Sequence, residues 1–188
     1  MKNKAYDLSQ WSFSTQDRVL PDANFWINVF GPAPVVGQRG RRIQNYSRGF
    51  QDMLQNKATL FIDVLILSEF VNTLARLEFN TNFRNTYGPT GFKQFRNSAD
   101  FLPAARVIAS ESRKILRHCQ RLDHAFSESD VPRLLAEFEQ GGEDFNDQLI
   151  IEVAKKHSLT LLTDDGDMTN GGVTVLTANP RLIQSCPT

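Results

Sequence analysis

Long hydrophobic runs are missing from this 188-residue chain. No stretch of about 18 apolar residues occurs, so no membrane-spanning helix is expected. The N-terminus, MKNKAYDLSQWS, has neither an apolar core segment nor a small-residue cleavage site, so a secretory leader is not expected either. Cysteine is scarce. Cys119 and Cys186 are the only two, with no metal-type spacing and no basis for a disulfide framework. A reducing cytoplasm is the simplest compartment for such a chain. There is no Gly-x-x-x-x-Gly-Lys-Ser/Thr loop, which argues against nucleotide hydrolysis by a phosphate-cradling loop. Net charge is also absent, since 21 Lys/Arg face 21 Asp/Glu.

That balance conceals an asymmetry. Residues 31–122 hold fourteen Lys/Arg against six Asp/Glu, whereas residues 123–167 hold three against twelve. A basic part beside an acidic part suits a nucleic-acid groove next to a metal site; basic residues scattered over solvated helix faces would give the same count. With 40% hydrophobic residues the chain can bury one compact core.

Apolar runs alternate with helical patterns. RVLPD (18–22) reads as a short strand and residues 24–30 as a helix. Residues 31–49, rich in Gly, Pro and Arg, read as an irregular loop. A helix over 46–55 is followed by a strongly apolar strand within 58–67, and Ser68 is placed to cap a helix that Glu69 opens. A long helix is predicted over 99–119, with Pro103 in its first turn. LDHAF (122–126) reads as a short strand and residues 127–140 as a helix. DFNDQLIIEVAKKH (144–157) is the clearest helix, followed by strands LTLLT and VTVLT and a turn of helix in the tail. Strands alternating with helices imply an α/β fold with a mostly parallel sheet.

Acidic residues recur at the ends of these elements: Asp22 after the first strand, Glu69 and Asp147 near helix starts, and Asp165 with Asp167 in LLTDDGDM. Each has a structural reading alone. Asp22 and Asp144 suit helix caps, Glu69 and Asp147 suit the positive end of a helix, and Asp-Asp-Gly suits a turn. Together they suggest carboxylates gathered at one sheet edge, which divalent cations would neutralise.

Their order resembles the PIN domain family of metal-dependent nucleases. DQLIIEVAKKHSLTLLTDDGDM is similar to that family's helix-opening Asp, apolar helix, strand and Thr-x-Asp-x-Asp ending. VLPDANFW resembles its first strand with Asp-x-Asn, and LILSEF the segment carrying its Glu. The resemblance implies a three-layer α/β/α domain over residues 18–188, behind an N-terminal extension (1–17) and with insertions near 31–57 and 84–100. It also implies that Asp22, Glu69, Asp147 and Asp165 bind Mg²⁺ or Mn²⁺, with Asp167 a further ligand. Thr163 would orient the last carboxylate, and Asn24 would stand beside the first. Asp144, one helical turn before Asp147, is within reach of such a site. The implied activity is phosphodiester hydrolysis by an endoribonuclease, with DNA an open alternative. A relative of the VapC toxin group would have an antitoxin partner and form a homodimer; the residues speak for the nuclease more than for the toxin. Arg39, Arg41 and Arg42 are candidate phosphate contacts. The aromatic residues of the second insertion could stack on unpaired bases or simply pack together. Two other readings stand: a non-catalytic binding module on the same fold, and an α/β phosphotransferase with an Asp nucleophile, which the Asn at position 24 disfavours.

Overall fold

The computed structural model describes residues 1–32, 38–124, 126–141 and 144–186, without the side chains of residues 38 and 39. Among these residues six strands form one sheet in the order β1-β6-β5-β2-β3-β4, every pairing parallel. The strands are β1 (Lys4–Asp7), β2 (Arg18–Pro21), β3 (Thr59–Ile62), β4 (Cys119–Arg121), β5 (Thr160–Leu162) and β6 (Thr174–Thr177). Val19, Leu20, Leu60, Leu161, Leu162, Val175 and Leu176 are all buried. Continuous apolar strands of this kind are those of a parallel sheet covered on both faces.

The helices are α1 (Ala23–Phe30), α2 (Gln38–Gln55), α3 (Val64–Glu78), α4 (Arg84–Tyr87), α5 (Phe92–Arg96), α6 (Phe101–His118), α7 (Val131–Glu139), α8 (Phe145–Lys156) and α9 (Pro180–Ser185). None of the described helices is long and apolar enough to cross a membrane. The chain leaves β2 towards β3 and β4 on one side of the sheet, then returns to β5 and β6 on the other. Between the carboxyl ends of β2 and β5 the winding therefore reverses, and in open parallel sheets that crevice is where ligands bind.

Several local expectations change. Residues 38–45 are helical, not loop. Ile43, Tyr46, Phe50 and Met53 recur at helical spacing, and the last three are buried. Arg41 and Arg48, among the residues that suggested a loop, are exposed on this helix. Residues 31–32 remain non-helical, and 33–37 lie outside the described residues.

The strand expected within 58–67 stops at Ile62, because Asp63 caps α3 by accepting the Leu65 N–H at 2.7 Å. Glu69 therefore sits in the second turn of α3, and Ser68 is not the cap. β4 comes earlier than LDHAF, which is not strand over residues 122–124; Ala125 lies outside the described residues. Residues 4–7, expected in an extension ahead of the domain, form an edge strand of the sheet.

The segment 84–100 forms α4 and α5. Its rings pack on one another: Phe83 stacks on Phe95 at 4.5 Å, and Phe79, Tyr87 and Phe101 also touch Phe95. Phe95 is fully buried. These aromatics make a satellite core instead of an open stacking surface.

Candidate active site

Asp22 ends the central strand β2 and caps α1. One oxygen accepts the Phe25 N–H at 2.7 Å and the other accepts the Thr163 hydroxyl. Thr163, at the end of neighbouring β5, also accepts the Asp165 N–H at 2.9 Å. One threonine thus fixes the first carboxylate and the backbone of the last. Asp165 in turn accepts the Asp167 N–H at 2.9 Å, closing a tight turn.

Asp22 is almost wholly buried. Burial pushes its pKa from 3.8 up to about 8; the bonds from Thr163 and Phe25 oppose this, and the negative charges of Glu69 and Asp165 add to it. Glu69 is half-buried, and its pKa is raised by desolvation first, then by Asp144 and Asp165. Asp22, after β2, thus stands in the field of Glu69 from α3 and Asp165 from the turn after β5, and Glu69 also stands in the field of Asp144 from the cap of α8.

Asp147 lies in the first turn of α8, partly exposed, one turn beyond Asp144. Asn24 lies in the first turn of α1, where its carbonyl accepts the Asn28 side chain at 2.9 Å. Asp167 is exposed and pairs with Arg181 at 2.7 Å. Arg42 pairs with Asp164 at 3.2 Å, Arg41 is exposed on α2, and the side chain of Arg39 lies outside the described residues.

Asp144, placed within reach of the site by its one-turn spacing to Asp147, is the first of the acids that raise the Glu69 pKa. The role of Tyr46, an aromatic of the first insertion, was not read from the sequence. Its buried hydroxyl accepts the Ala178 N–H at 2.9 Å and lies 2.9 Å from the Asp164 carboxylate and 3.1 Å from the Thr163 carbonyl. Tyr46 and Arg42 together anchor Asp164, which leaves its neighbour Asp165 to join the other acids.

Among the described residues no three His, Cys, Asp or Glu side chains stand close enough to hold an ion directly. The donor chemistry nevertheless fits a hard cation. All four acids offer oxygen, and their mutual repulsion is relieved by positive charge. Mg²⁺ keeps several waters and takes one or two carboxylates, which suits an open arrangement. Asp22 uses one acceptor site on each oxygen, leaving the second on each.

The PIN domain family model matches residues 19–172, a span that contains all of these acids. The chain belongs to the PIN domain family. PIN domains are generally nucleases, so membership supports a hydrolase and displaces the phosphotransferase reading. Among solved structures, the crystal structure of VapBC2 from Rickettsia felis bound to a DNA fragment from their promoter is similar, with a TM-score of 0.54 and 14% identity, covering 85% of this chain and 98% of that one. The crystal structure of PAE2754 from Pyrobaculum aerophilum aligns at a TM-score of 0.48 and 16% identity, covering 95% of each chain. At such identities the likeness concerns the fold alone, and the first structure carries it. No curated protein matches the chain.

Proposed function

We propose that this PIN domain is an endoribonuclease that hydrolyses phosphodiester bonds with Mg²⁺ or Mn²⁺, using Asp22, Glu69, Asp147 and Asp165. The observation that carries the reading is the buried Asp22 carboxylate, held by Thr163 between the charges of Glu69 and Asp165. A buried, repelled carboxylate costs stability, and a fold retains one where a cation or substrate repays it. When bound, the ion supplies an activated water and neutralises charge on the phosphoryl oxygens.

The chain's own residues have separate tasks. Thr163 holds Asp22 and the Asp165 backbone in fixed relation. Glu69 brings a carboxylate from α3 into range of Asp22, and Asp147, in the first turn of α8, is assigned the same task from sequence. Asp144 adds negative charge beside Glu69. Arg41, on the outer face of α2, serves the phosphate backbone; Arg39 is assigned the same task from sequence. Arg42, paired with Asp164, would have to share or leave that partner to meet a phosphate. Asp167, a further ligand in the sequence reading, would have to leave Arg181 to reach the ion.

The fold shared with the VapBC2 structure supports a toxin paired with an antitoxin protein; that it acts as a homodimer in the cytoplasm is carried over from the sequence reading alone. A small antitoxin gene beside this one is the observation that separates toxin from housekeeping nuclease. The open spacing of the acids favours one other reading, a PIN domain that binds nucleic acid without cutting it.

Cleavage of RNA and single-stranded DNA panels with Mg²⁺, Mn²⁺ or EDTA, wild type beside Asp22→Asn, decides between them. The expected result is metal-dependent cutting of RNA, lost in Asp22→Asn by at least about a hundredfold, since a ligand or charge-stabilising group is removed. Cutting of DNA alone would reassign the substrate. Binding without cutting in any metal would favour the non-catalytic module.

A further inference from the structure

A second polar cavity adjoins the acids. It has a volume of about 260 Å³, and Glu69 forms part of its wall. Asn72, Thr73 and Arg76 from α3 and Asn146 from the first turn of α8 also line it. Positions 69, 72, 73 and 76 follow helical spacing, so they lie on one face of α3. Arg76 starts about 10 Å beyond Glu69 along the axis.

Two facts describe Arg76. Its guanidinium lies over the Phe92 ring, 4.6 Å from the centroid. It makes no ion pair among the described residues, unlike Arg42, Arg133 and Arg181; Arg18, over Phe61, shares both traits, and what distinguishes Arg76 is its place in the cavity wall with Glu69. A ring contact of this kind does not use the N–H donors of the guanidinium, and a planar fork of N–H groups matches two phosphate oxygens. Besides Glu69 and Leu65, the cavity walls offer the amides of Asn72 and Asn146 and the hydroxyls of Ser68 and Thr73, which suit sugar hydroxyls and phosphate oxygens. The satellite core of the 84–100 segment thereby gains a use, since its Phe92 braces a cation beside the acids.

We infer that Arg76, braced by Phe92, binds a backbone phosphate of a single-stranded nucleic acid adjacent to the bond cut at the acids. The strand runs along α3 from Glu69 past Asn72 and Thr73. This rests on the nuclease reading. Arg76 is a positioning residue, because it grips the strand away from the reacting phosphate. Its place in the last turn of α3 also favours the helix dipole, so stability must be read separately from binding.

Binding of a fluorescent single-stranded RNA is measured in EDTA across a salt series for wild type, Arg76→Gln, Arg76→Lys and the exposed control Arg84→Gln, each with its melting temperature. Cleavage is then measured on oligonucleotides carrying one neutral methylphosphonate linkage at successive positions. Arg76→Gln is expected to weaken binding about tenfold and to flatten the salt slope by about 0.7. Arg76→Lys restores the slope and Arg84→Gln leaves it unchanged. Wild type loses cleavage when one linkage beside the scissile one is neutral, and Arg76→Gln is indifferent to that linkage. If wild type cuts while Arg76→Gln has the same slope and the same linkage profile, the Arg76 assignment is overturned and the nuclease stands. If wild type neither binds nor cuts, both fall.

Discussion

Asp22 shows what one residue gives up for a site. Its carboxyl, ordinarily ionised above pH 4, is driven up to about 8 mainly by burial. A carboxyl whose pKa is raised on folding adds stability below its unfolded value, and that stability is lost as pH climbs through the folded value. For Asp22 the loss runs between about pH 4 and 8. Metal-free Asp22→Asn is therefore expected to melt above wild type at pH 8 by at least about 2 °C, with the gap closing towards pH 5. Thermal scans in EDTA at both pH values check this, and a variant that melts lower throughout would show that the charge is no burden. Asp164 and Asp165 make the complementary point. In sequence the Thr-x-Asp spacing singles out Asp165, and Thr163 indeed holds its backbone N–H two residues away. What claims Asp164 is not legible locally, because Arg42 and Tyr46 lie more than a hundred residues from it.

At the scale of elements, the strongest periodic signals survived and the boundaries moved. The helix α8 and the strands β5 and β6 were legible because pattern and stop signals agree there. TLFIDVLIL was ambiguous, since an apolar run fits a buried strand or a buried helix start equally. Asp63 resolves it. Its buried carboxylate caps α3 and also holds the His124 ring at 2.9 Å. Asp63→Ala should remove the cap and leave His124 without that partner, a loss of about 2–4 kcal/mol in all. Urea titration measures it, and a loss below about 0.5 kcal/mol would make both contacts incidental. Because Asp63 starts α3, it also sets which face of that helix carries Glu69 and Arg76, so the cap controls the site it does not touch.

The whole molecule ties the ends of the chain to the crevice. Asn3 accepts the Val173 N–H at 3.0 Å, and its amide donates to the Met168 carbonyl at 3.1 Å. Gly171 donates its N–H to the Met1 carbonyl at 2.8 Å, in a backbone with φ near +122° that favours glycine. The first residues thus brace the loop that follows Asp165. Deleting residues 1–7 should lower the melting temperature by at least about 5 °C, expose the edge of β6 to aggregation and reduce cleavage. Light scattering and melting curves test the first two, and a truncated chain with unchanged stability would mean that β1 is dispensable.

The sequence by itself determined the α/β class, the central apolar strands and the order of acids that resembles a PIN domain. Those features depend on periodicity and on residue order, which the chain carries locally. The tertiary structure decided that Asp22 is buried in the field of Glu69 and Asp165, that Asp144 acts on Glu69, that the aromatic insertion packs inward and that residues 4–7 belong to the sheet. Each of those outcomes depends on contacts between distant segments, and burial and charge take their values only once those segments meet.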